Sequence, residues 1–281
     1  YNLGQLIFLY MKNLLQGTSR QEISVFNFIN TLMPETTVLK NNRQVLNGKE
    51  LDIYVPSRKF AVEFNGLYFH NDSMKNDPFY HLQKSVECEK KGIHLIQIMS
   101  DEWEQKKPLV LDLIRKSLGK CDNVSLQNCK IVEISKQEGD LFMKRHCLLE
   151  EDPHASLYYA ILLDNEKMAV ASFKKEKNWT LTRYVERMGF TVHSGLKKII
   201  DEFKTQHSLP LTATLDRRLY QKYDFIEAGF EEIEPTNPNV TITKDFKKRF
   251  PLKEKTSDEK LEKQGWHKVY DCGNRRFLLC T

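Results

Sequence analysis

The chain has 281 residues, and 40% of them are hydrophobic. This length suits two domains better than one, and the hydrophobic content is sufficient for packed cores. The net charge of +5 fits a nucleic-acid partner, although many ordinary enzymes are equally basic. Six cysteines form no CxxC pair, which argues against zinc or a disulfide framework and favours reduced thiols in a cytosolic protein.

The first predicted element is an amphipathic helix within residues 1–18. Its apolar stretch, LGQLIFLYMKNLL, is short and is interrupted by Gln5, Lys12 and Asn13, so we do not expect it to span a membrane. We expect no signal peptide and no membrane partner. Because the chain begins with Tyr1 rather than Met, we also expect that it can be a piece of a longer protein.

A second helix is predicted from a cap at Ser19 to a break at Pro34. Apolar residues recur along it at helical spacing. Glu22 stands three residues after Ser19, as in a capping box, and it also borders the apolar stripe. The role of Glu22 is therefore open between N-terminal capping and catalysis.

Two strands are predicted next, KELDIYV and FAVEFNG, joined by PSRK. One register makes a whole face of this hairpin apolar, by pairing Val55 with Phe60, Ile53 with Val62 and Leu51 with Phe64. The same register places Asp52 opposite Glu63 and Glu50 opposite Asn65. Like charges at opposed positions are destabilising, and a divalent cation between them removes the repulsion.

The facing acids predict a metal site. Carboxylate oxygens with retained waters are the ligands that Mg²⁺ prefers, so we expect Mg²⁺ on Asp52 and Glu63, with Mn²⁺ as a substitute. Asn65 ends the second strand, and His70 follows near the same edge as a candidate general acid or base. Lys84, on the next helix, either holds a phosphate beside the metal or is a solvated lysine.

A metal-bound water that attacks a phosphate is the chemistry that this set of residues suits, although it also suits other metal-assisted hydrolyses. The structural alternative is a surface hairpin whose polar face carries acids. Beyond it, the sequence predicts a helix ending at Gly92, the strand HLIQIM, and the helix PLVLDLIRKSLG. The order helix, strand, strand, helix, strand, helix indicates an α/β unit that ends near residue 120.

The polar segment GKCDNVSLQN is predicted to be a linker to a second α/β unit. The predicted strands there are CKIVEIS, a hairpin SLYYAILLDNEKMAVASFKK turned at Asp164-Asn165, NWTLTRYVE and LTATLD. The predicted helices are KQEGDLFMKRHCL, HSGLKKIIDEFKTQH and RLYQKYDFIEAGF. A charge-dense segment, KDFKKRFPLKEKTSDEK, precedes a last hairpin, GWHKVYDCGNRRFLLC, predicted to turn at Gly273-Asn274.

Two stretches of the first part, ELDIYVPSRKFAVEFNGLYFHN and YHLQKSVECEKKGIHLIQIMSDEW, resemble the nuclease core of phage-type homing endonucleases. That core is similar to the very-short-patch repair endonuclease and to the EDxHD-like members of the PD-(D/E)xK group. The resemblance covers about residues 19–115. It implies that Glu22, Asp52 and His70 are catalytic, that Asp52 binds magnesium, and that His70 assists proton transfer. Glu63 resembles the second acid of the pattern.

The chain departs from this family at two places. Asn65 stands where the repair enzyme has a second histidine and where the PD-(D/E)xK pattern has its lysine, and Lys84 can replace that lysine from another element. A later helix of the repair enzyme carries an aspartate, where this chain offers His81 and Lys84.

Two stretches of the second part, ATLDRRLYQKYDFIEAGF and GWHKVYDCGNRRF, resemble the carboxy-terminal region of related phage proteins and, distantly, an N-acetyltransferase fold. An acetyltransferase is expected to present a glycine-rich pyrophosphate loop before its main helix. MGFTVHSGLKK offers only Gly189 and Gly195, which are far apart. We therefore expect a DNA-binding or target-positioning module, with phosphate contacts from Arg217, Arg218, Lys222, Lys247, Lys248 and Arg249.

The sequence thus predicts an α/β (α+β) protein with an N-terminal helix (1–18), a nuclease core of mixed sheet and flanking helices (19–120), and an acetyltransferase-like domain (121–281). The predicted function is a magnesium-dependent endonuclease of the homing type. It would act on double-stranded DNA in the cytoplasm of a bacterial or phage-infected cell. The predicted site residues are Glu22, Asp52, Glu63, Asn65, His70 and Lys84. Two alternatives stay open: an acyl-CoA-dependent acetyltransferase and a non-catalytic DNA-binding protein.

Overall fold

A computed structural model describes residues 19–69, 72, 77–150, 152–252 and 256–280. The predicted helix within residues 1–18 and the predicted site residue His70 lie outside the described residues. Over the described ranges the chain is a mixed α/β fold with several sheets, as the sequence predicts. No helix in these ranges has both the length and the apolar character needed to cross a bilayer.

The first part of the chain is built on a four-stranded sheet, called the first sheet, in the order β1-β2-β3-β4. Neighbouring strands are antiparallel except for the parallel pair β3 and β4. Its strands are β1 (Leu39–Leu46), β2 (Lys49–Val55), β3 (Phe60–Asn65) and β4 (His94–Met99). A 3₁₀ turn, Pro56–Arg58, joins β2 to β3. Its helices are α1 (Arg20–Leu32), α2 (Tyr80–Lys90) and α3 (Ser100–Ser117).

Local signals explain most of these elements. The Ser19 side chain accepts a hydrogen bond from the Glu22 amide (3.1 Å), so the predicted cap of α1 is confirmed. Strand β1 was not predicted, because most of its side chains are polar and half of them are exposed at the sheet edge. Helix α3 begins at Ser100, eight residues before the predicted start at Pro108, because two helical stretches join across a kink at Lys106.

The second part of the chain is built on a seven-stranded sheet, called the large sheet, in the order β12-β16-β11-β9-β8-β7-β6. Its neighbouring strands are antiparallel except for the parallel pair β9 and β11. Its strands are β6 (Lys130–Ile134), β7 (Leu157–Leu163), β8 (Glu166–Lys175), β9 (Trp179–Glu186), β11 (Leu211–Asp216), β12 (Glu231–Ile233) and β16 (Asn274–Leu279). Its helices are α4 (Lys136–His146), α5 (Gly195–Gln206) and α6 (Tyr223–Glu227).

Two smaller sheets complete the fold. Strands β5 (Asp122–Asn123) and β10 (Phe190–Thr191) pair in parallel, and a 3₁₀ turn at Leu126–Asn128 follows β5. The predicted linker is therefore partly tied to the second part of the chain. A three-stranded sheet, called the small sheet, has the order β14-β13-β15, with β13 (Val240–Thr243), β14 (Phe250–Pro251), β15 (His267–Tyr270) and helix α7 (Asp258–Lys263).

Two predicted elements of the second part are wrong. The last predicted hairpin does not form, because β15 belongs to the small sheet and β16 to the large sheet. The backbone turns between them at Gly273, where φ is +68° and an added Cβ would lie 2.6 Å from the Thr236 carbonyl oxygen. The predicted helix over 218–230 is reduced to α6, because Arg218 and Leu219 are buried against the first part.

The two parts share a hydrophobic core. Leu148 and Leu219 are buried among the side chains of α1, α3 and the first sheet. All six cysteines are free thiols, as predicted. The shared core places the end of β11 and the N-terminus of α3 next to each other, where charged side chains of both parts meet.

Candidate functional site

The facing acids lie at the point where the β2–β3 ladder ends. The predicted register is confirmed for Val55 with Phe60 and for Ile53 with Val62. Beyond this point the described pairing stops, and the Asp52 Oδ2 atom accepts a hydrogen bond from the Phe64 amide at 2.7 Å. The predicted third pair, Leu51 with Phe64, would have supplied a backbone acceptor for the Phe64 amide. The carboxyl of Asp52 takes the place of that acceptor.

Lys84 is the cation beside these acids. Its side chain reaches from α2 and forms a hydrogen-bonded ion pair with Glu63, and both residues are buried. Burial lowers the pKa of Lys84, but the Glu63 carboxylate outweighs this effect, and the pKa lies above its usual value. The alternative of a solvated lysine is thus excluded by its position.

The Asp52 carboxyl is held in its protonated form near neutral pH. Burial is the main cause, the Glu63 charge adds to it, and together they raise the pKa of Asp52 from 3.8 to about 8. The nearby Glu22 charge acts in the same direction. The structure therefore brings Glu22, Asp52, Glu63 and Lys84 together as one ionisable cluster.

Replacing Asp52 with Asn is expected to stabilise the protein at pH 8 by about 1–3 kcal/mol, because the amide removes a buried negative charge. The folded-state pKa of about 8 is above the unfolded value of 3.8, so wild-type stability should fall as pH rises between them. Urea denaturation at pH 5 and pH 8 measures this. An unchanged pH dependence in Asp52→Asn would contradict the assignment, and Asp201→Asn on the exposed face of α5 is the control.

Asn65 is directed to another group. It is fully buried, and its Nδ2 atom donates to Gln97 Oε1 on β4 at 3.1 Å. In the structure Lys84 is the cation beside Glu63, and burial raises the pKa of Asp52. Among the residues that the structure describes, no group of three or more His, Cys, Asp or Glu side chains could hold a metal ion.

The arginines predicted to contact DNA are engaged in ion pairs. Arg217 pairs with Glu89, Arg218 with Glu102 and Asp216, and Arg249 with Asp101 and Glu102. Arg218 is only 2% exposed, which leaves its guanidinium no surface for a phosphate. Lys222 pairs with Glu232 at the surface. Lys247 and Lys248 are exposed, and they remain suited to the predicted role.

A cavity of about 600 Å³ lies in the large sheet, in an opening that we call the fork. Strands β9 and β11 pair only from Trp179 to Leu181 and from Leu211 to Ala213. Residues 182–186 and 214–216 continue as strands beyond this pairing and line the cavity. On that side, β9 has no partner among the described strand pairings, although Arg183 Nη1 donates to the Thr182 carbonyl oxygen and Lys116 Nζ donates to that of Glu186.

The N-terminus of α5 borders the same cavity. Its N-cap, Ser194, has a left-handed conformation (φ 58°), and its side chain does not cap the helix. The Ser194 hydroxyl instead donates to Glu227 Oε1 at 2.5 Å. Amides in the first turn of a helix lack intrahelical partners and attract anions. Val192 and His193 line the cavity beside this turn.

The two glycines of the preceding loop have separate structural roles. Gly189 has φ +83°, which suits the turn after β9. Gly195 begins α5, and an added Cβ would lie 2.3 Å from the Tyr184 hydroxyl oxygen on β9. Gly195 therefore allows α5 to pack closely against β9. The two glycines are separated in sequence because Gly189 serves the turn after β9 and Gly195 serves this contact between helix and strand.

Helix α3 of the first part closes one side of the fork. Asp112 Oδ1 accepts from the Gly189 amide at 2.7 Å, and Lys116 Nζ donates to the Glu186 carbonyl oxygen at 3.1 Å. Leu109 and Leu113 line the cavity. The loop before α5 is thus positioned by the first part of the chain.

His146 and Glu186 are ionisable groups of the cavity wall. Burial is the main cause that lowers the pKa of His146 to about 4, so its ring is neutral at pH 7. Burial also raises the pKa of Glu186, whose Oε1 atom accepts from the Val192 amide at 2.8 Å.

The fork was not predicted, although the sequence contains a signal for it. The strand NWTLTRYVE, the helix HSGLKKIIDEFKTQH and the strand LTATLD form a β–α–β order, which predicts two parallel strands. The point where such strands separate is a place for ligands in α/β sheets. Pairing of only three residues on each strand could not be foreseen.

Two solved structures are similar to about half of this chain. The ribosomal-protein-S18-alanine N-acetyltransferase from Escherichia coli matches 54% of this chain and 92% of its own, with 11% identity and a TM-score of 0.31. An N-acetyltransferase from Staphylococcus aureus Mu50 matches 54% of this chain and 97% of its own, with 9% identity and a TM-score of 0.31. No protein-family model and no curated protein sequence matches the chain.

These findings correct the predicted family. The structural matches are N-acetyltransferases and include no nuclease, so the predictions of a homing endonuclease, of DNA hydrolysis and of a phage mobile element are wrong. About half of the chain has partial resemblance to an N-acetyltransferase fold. Because this likeness is distant, any activity must follow from the geometry of the chain itself.

Proposed function

We propose that the fork binds an acyl-CoA thioester and that the protein transfers its acyl group to an amine. The observation that carries this proposal is the cavity of about 600 Å³ between the separated strands β9 and β11, bordered by an uncapped helix N-terminus. A strand edge without a partner strand, and a helix N-terminus beside the same cavity, suit a ligand that has both an extended amide-containing arm and phosphates.

The residues that would hold each portion of the ligand follow from these features. The backbone groups of residues 182–186, apart from the occupied carbonyls of Thr182 and Glu186, would bind the amides of the arm, and the first turn of α5, beside the cavity, would bind a phosphate. When bound, the thioester supplies an activated acyl carbon. Glu186 lines the cavity, and burial raises its pKa; we assign to it the proton that an attacking amine loses, while coenzyme A leaves as its thiol.

Acetyl-CoA titrated into the protein by calorimetry is expected to bind with a Kd in the micromolar range. Thr214 lines the cavity, and Thr214→Trp should fill the fork and weaken binding about tenfold or more. Thr205→Trp, at the exposed C-terminal end of α5, introduces the same ring elsewhere and should leave binding unchanged. Absence of binding at millimolar acetyl-CoA, or equal binding by Thr214→Trp, would refute the proposal.

A second variant tests where the phosphates lie. The Glu227 carboxylate accepts from Ser194 at the N-terminus of α5, so its charge opposes an anion there. Glu227→Gln is expected to tighten acetyl-CoA binding about two- to fivefold, the range for one charge at a helix terminus. Unchanged or weaker binding would place the phosphates away from α5. Acyl transfer itself is measured by mass spectrometry of amines incubated with acetyl-CoA.

Three other sequence predictions remain proposals. Magnesium on Asp52 and Glu63 would require the loss of the Asp52 proton and would share Glu63 with Lys84. Duplex DNA as a partner is supported by the net charge of +5 and by exposed Lys247 and Lys248. A cytoplasmic location is supported by the six free thiols.

A further inference from the structure

A second surface of the protein carries exposed aromatic rings and lysines. We call it the hairpin surface. It consists of the turn between β13 and β14 (residues 244–249), Phe250 at the start of β14, Trp266, and the turn at Tyr68 and Phe69. None of these residues lines the fork cavity. Phe250 is 40% exposed, and its ring centroid lies 5.7 Å from that of Trp266 in an edge-to-face arrangement.

Two lysines of this surface lie against its rings. Lys244 Nζ is 5.9 Å from the centroid of Trp266, and Lys248 Nζ is 5.6 Å from the centroid of Phe250. Lys244, Lys247 and Lys248 are all exposed. The two ammonium groups therefore lie over the rings of Trp266 and Phe250.

The aromatic surface continues onto the first part of the chain. The Phe246 ring packs against Tyr68 with centroids 5.2 Å apart, and Tyr68 against Phe69 at 5.1 Å. Tyr68 is 50% exposed and Phe69 is 39% exposed. Exposed rings at two turns, bridged by Phe246, form a patch that is larger than isolated surface hydrophobics.

The turn is held in place by a buried arginine contact. Arg249 donates from Nε to Asp101 Oδ2 at 2.9 Å and from Nη2 to Glu102 Oε1 at 2.8 Å, at the N-terminus of α3. This anchoring fixes the rings and lysines before any partner arrives. A preformed surface loses less conformational entropy on binding.

The charge of the region favours an anionic partner. Residues 240–270 contain nine Lys or Arg and five Asp or Glu. Arg249 and Lys268 are engaged in ion pairs, whereas Lys244, Lys247 and Lys248 are exposed. The combination of exposed rings with lysines is typical of single-strand nucleic-acid binding, where bases stack on rings and phosphates contact the cations. A duplex keeps its bases stacked internally and would leave the rings without a partner.

We propose that the hairpin surface binds a single-stranded nucleic acid. Bases stack on Phe250, Trp266 and Tyr68, and phosphates contact Lys244, Lys247 and Lys248. The site is independent of the fork, so it does not depend on acyl-CoA binding. Unlike the phosphate contacts predicted from the sequence, this site includes aromatic side chains and favours a single strand over a duplex.

Fluorescence anisotropy of a labelled oligothymidylate of about 20 nucleotides tests the proposal. Lys247→Gln combined with Lys248→Gln should weaken binding about tenfold and reduce the slope of log K against log salt by about 1.4, since each phosphate contact on a single strand contributes about 0.7. Phe250→Ala should weaken binding about fivefold or more through lost stacking, with the salt slope unchanged. Lys144→Gln combined with Lys204→Gln is the control with the same charge change.

The outcomes separate the alternatives. Binding that falls equally in the control pair shows a general charge effect and overturns the proposal. Tighter binding of a matched duplex, or of anionic phosphatidylserine vesicles, than of the single strand also overturns it. Quenching of tryptophan fluorescence by unlabelled oligothymidylate supports it, because Trp103 and Trp179 are buried and only Trp266 is accessible for stacking. Quenching that persists in Trp266→Leu contradicts it.

Discussion

Replacing Arg218 with Met is expected to lower the free energy of unfolding by about 3–5 kcal/mol, the usual result of removing one partner from a buried ion pair. The guanidinium donates to Glu102 through two hydrogen bonds of 2.8 Å and to Asp216 at 3.0 Å. A further bond of 3.0 Å goes to the Gln97 carbonyl oxygen. Methionine keeps much of the side-chain volume, so the loss is mainly electrostatic.

The effect should be large because the partners cannot reach water. Burial alone would raise the pKa of Glu102, but Arg218 and Arg249 outweigh it and hold the pKa at about 2. This lowered pKa contributes stability above the usual value of 4.5 and loses it as pH falls through about 2. In Arg218→Met the stability curve should therefore be flatter at acid pH.

Urea denaturation monitored by circular dichroism measures the change. Arg276→Met is the control, because Arg276 is exposed on β16 of the same sheet, and its effect should be under about 0.5 kcal/mol. A loss below about 1 kcal/mol in Arg218→Met would show that the Arg218 ion pairs contribute little to holding the two parts of the chain together.

Elements that depend on near neighbours could be predicted from the sequence. Ser19 caps α1 through an amide three residues away. The Asp164-Asn165 turn forms with φ of 49° and 66°, which these residue types tolerate. The alternation of apolar residues was sufficient to predict the register of Val55 with Phe60. In each case the stabilising contact is local or follows from side-chain period alone.

Features that depend on distant partners could not be predicted. Arg218 lies in a stretch with helical pattern, yet its partner Glu102 is 116 residues away, and the ion pair prevents the first turn of that helix. The polar strand β1 is visible only through its pairing with β2. The predicted DNA contacts of Arg217 and Arg249 also depended on exposure, which distant acids remove.

The carboxylate cluster combines both cases. The hairpin pattern correctly places Asp52 and Glu63 near each other, and like charges there do require compensation. The compensating cation in the structure is the Lys84 ammonium, and the raised pKa of Asp52 favours its neutral form. A lysine on a helix rich in charged residues is ordinarily predicted to be solvated. The sequence does not show that α2 turns the Lys84 side chain toward the first sheet.

Replacing Lys84 with Met is accordingly expected to destabilise the protein by about 3–5 kcal/mol at pH 8, because Glu63 and Asp52 then lie together without a counter-charge. The deficit should shrink at pH 5, where protonation of the carboxyls removes the repulsion. Lys90→Met, at an exposed position of the same helix, is the control and should have little effect. An equal loss at both pH values would indicate lost packing alone.

A double variant separates the charge from the side-chain volume. Glu63→Gln in the Lys84→Met background should recover about half or more of the lost stability. The reason is that a neutral amide replaces the buried Glu63 carboxylate that has lost its lysine. Manganese added to Lys84→Met tests the remaining metal prediction by thermal unfolding. A rise in Tm that is absent from the double variant would show that the two carboxylates bind a divalent ion once Lys84 is removed. An unchanged Tm in Lys84→Met would show that they do not bind manganese even without the lysine.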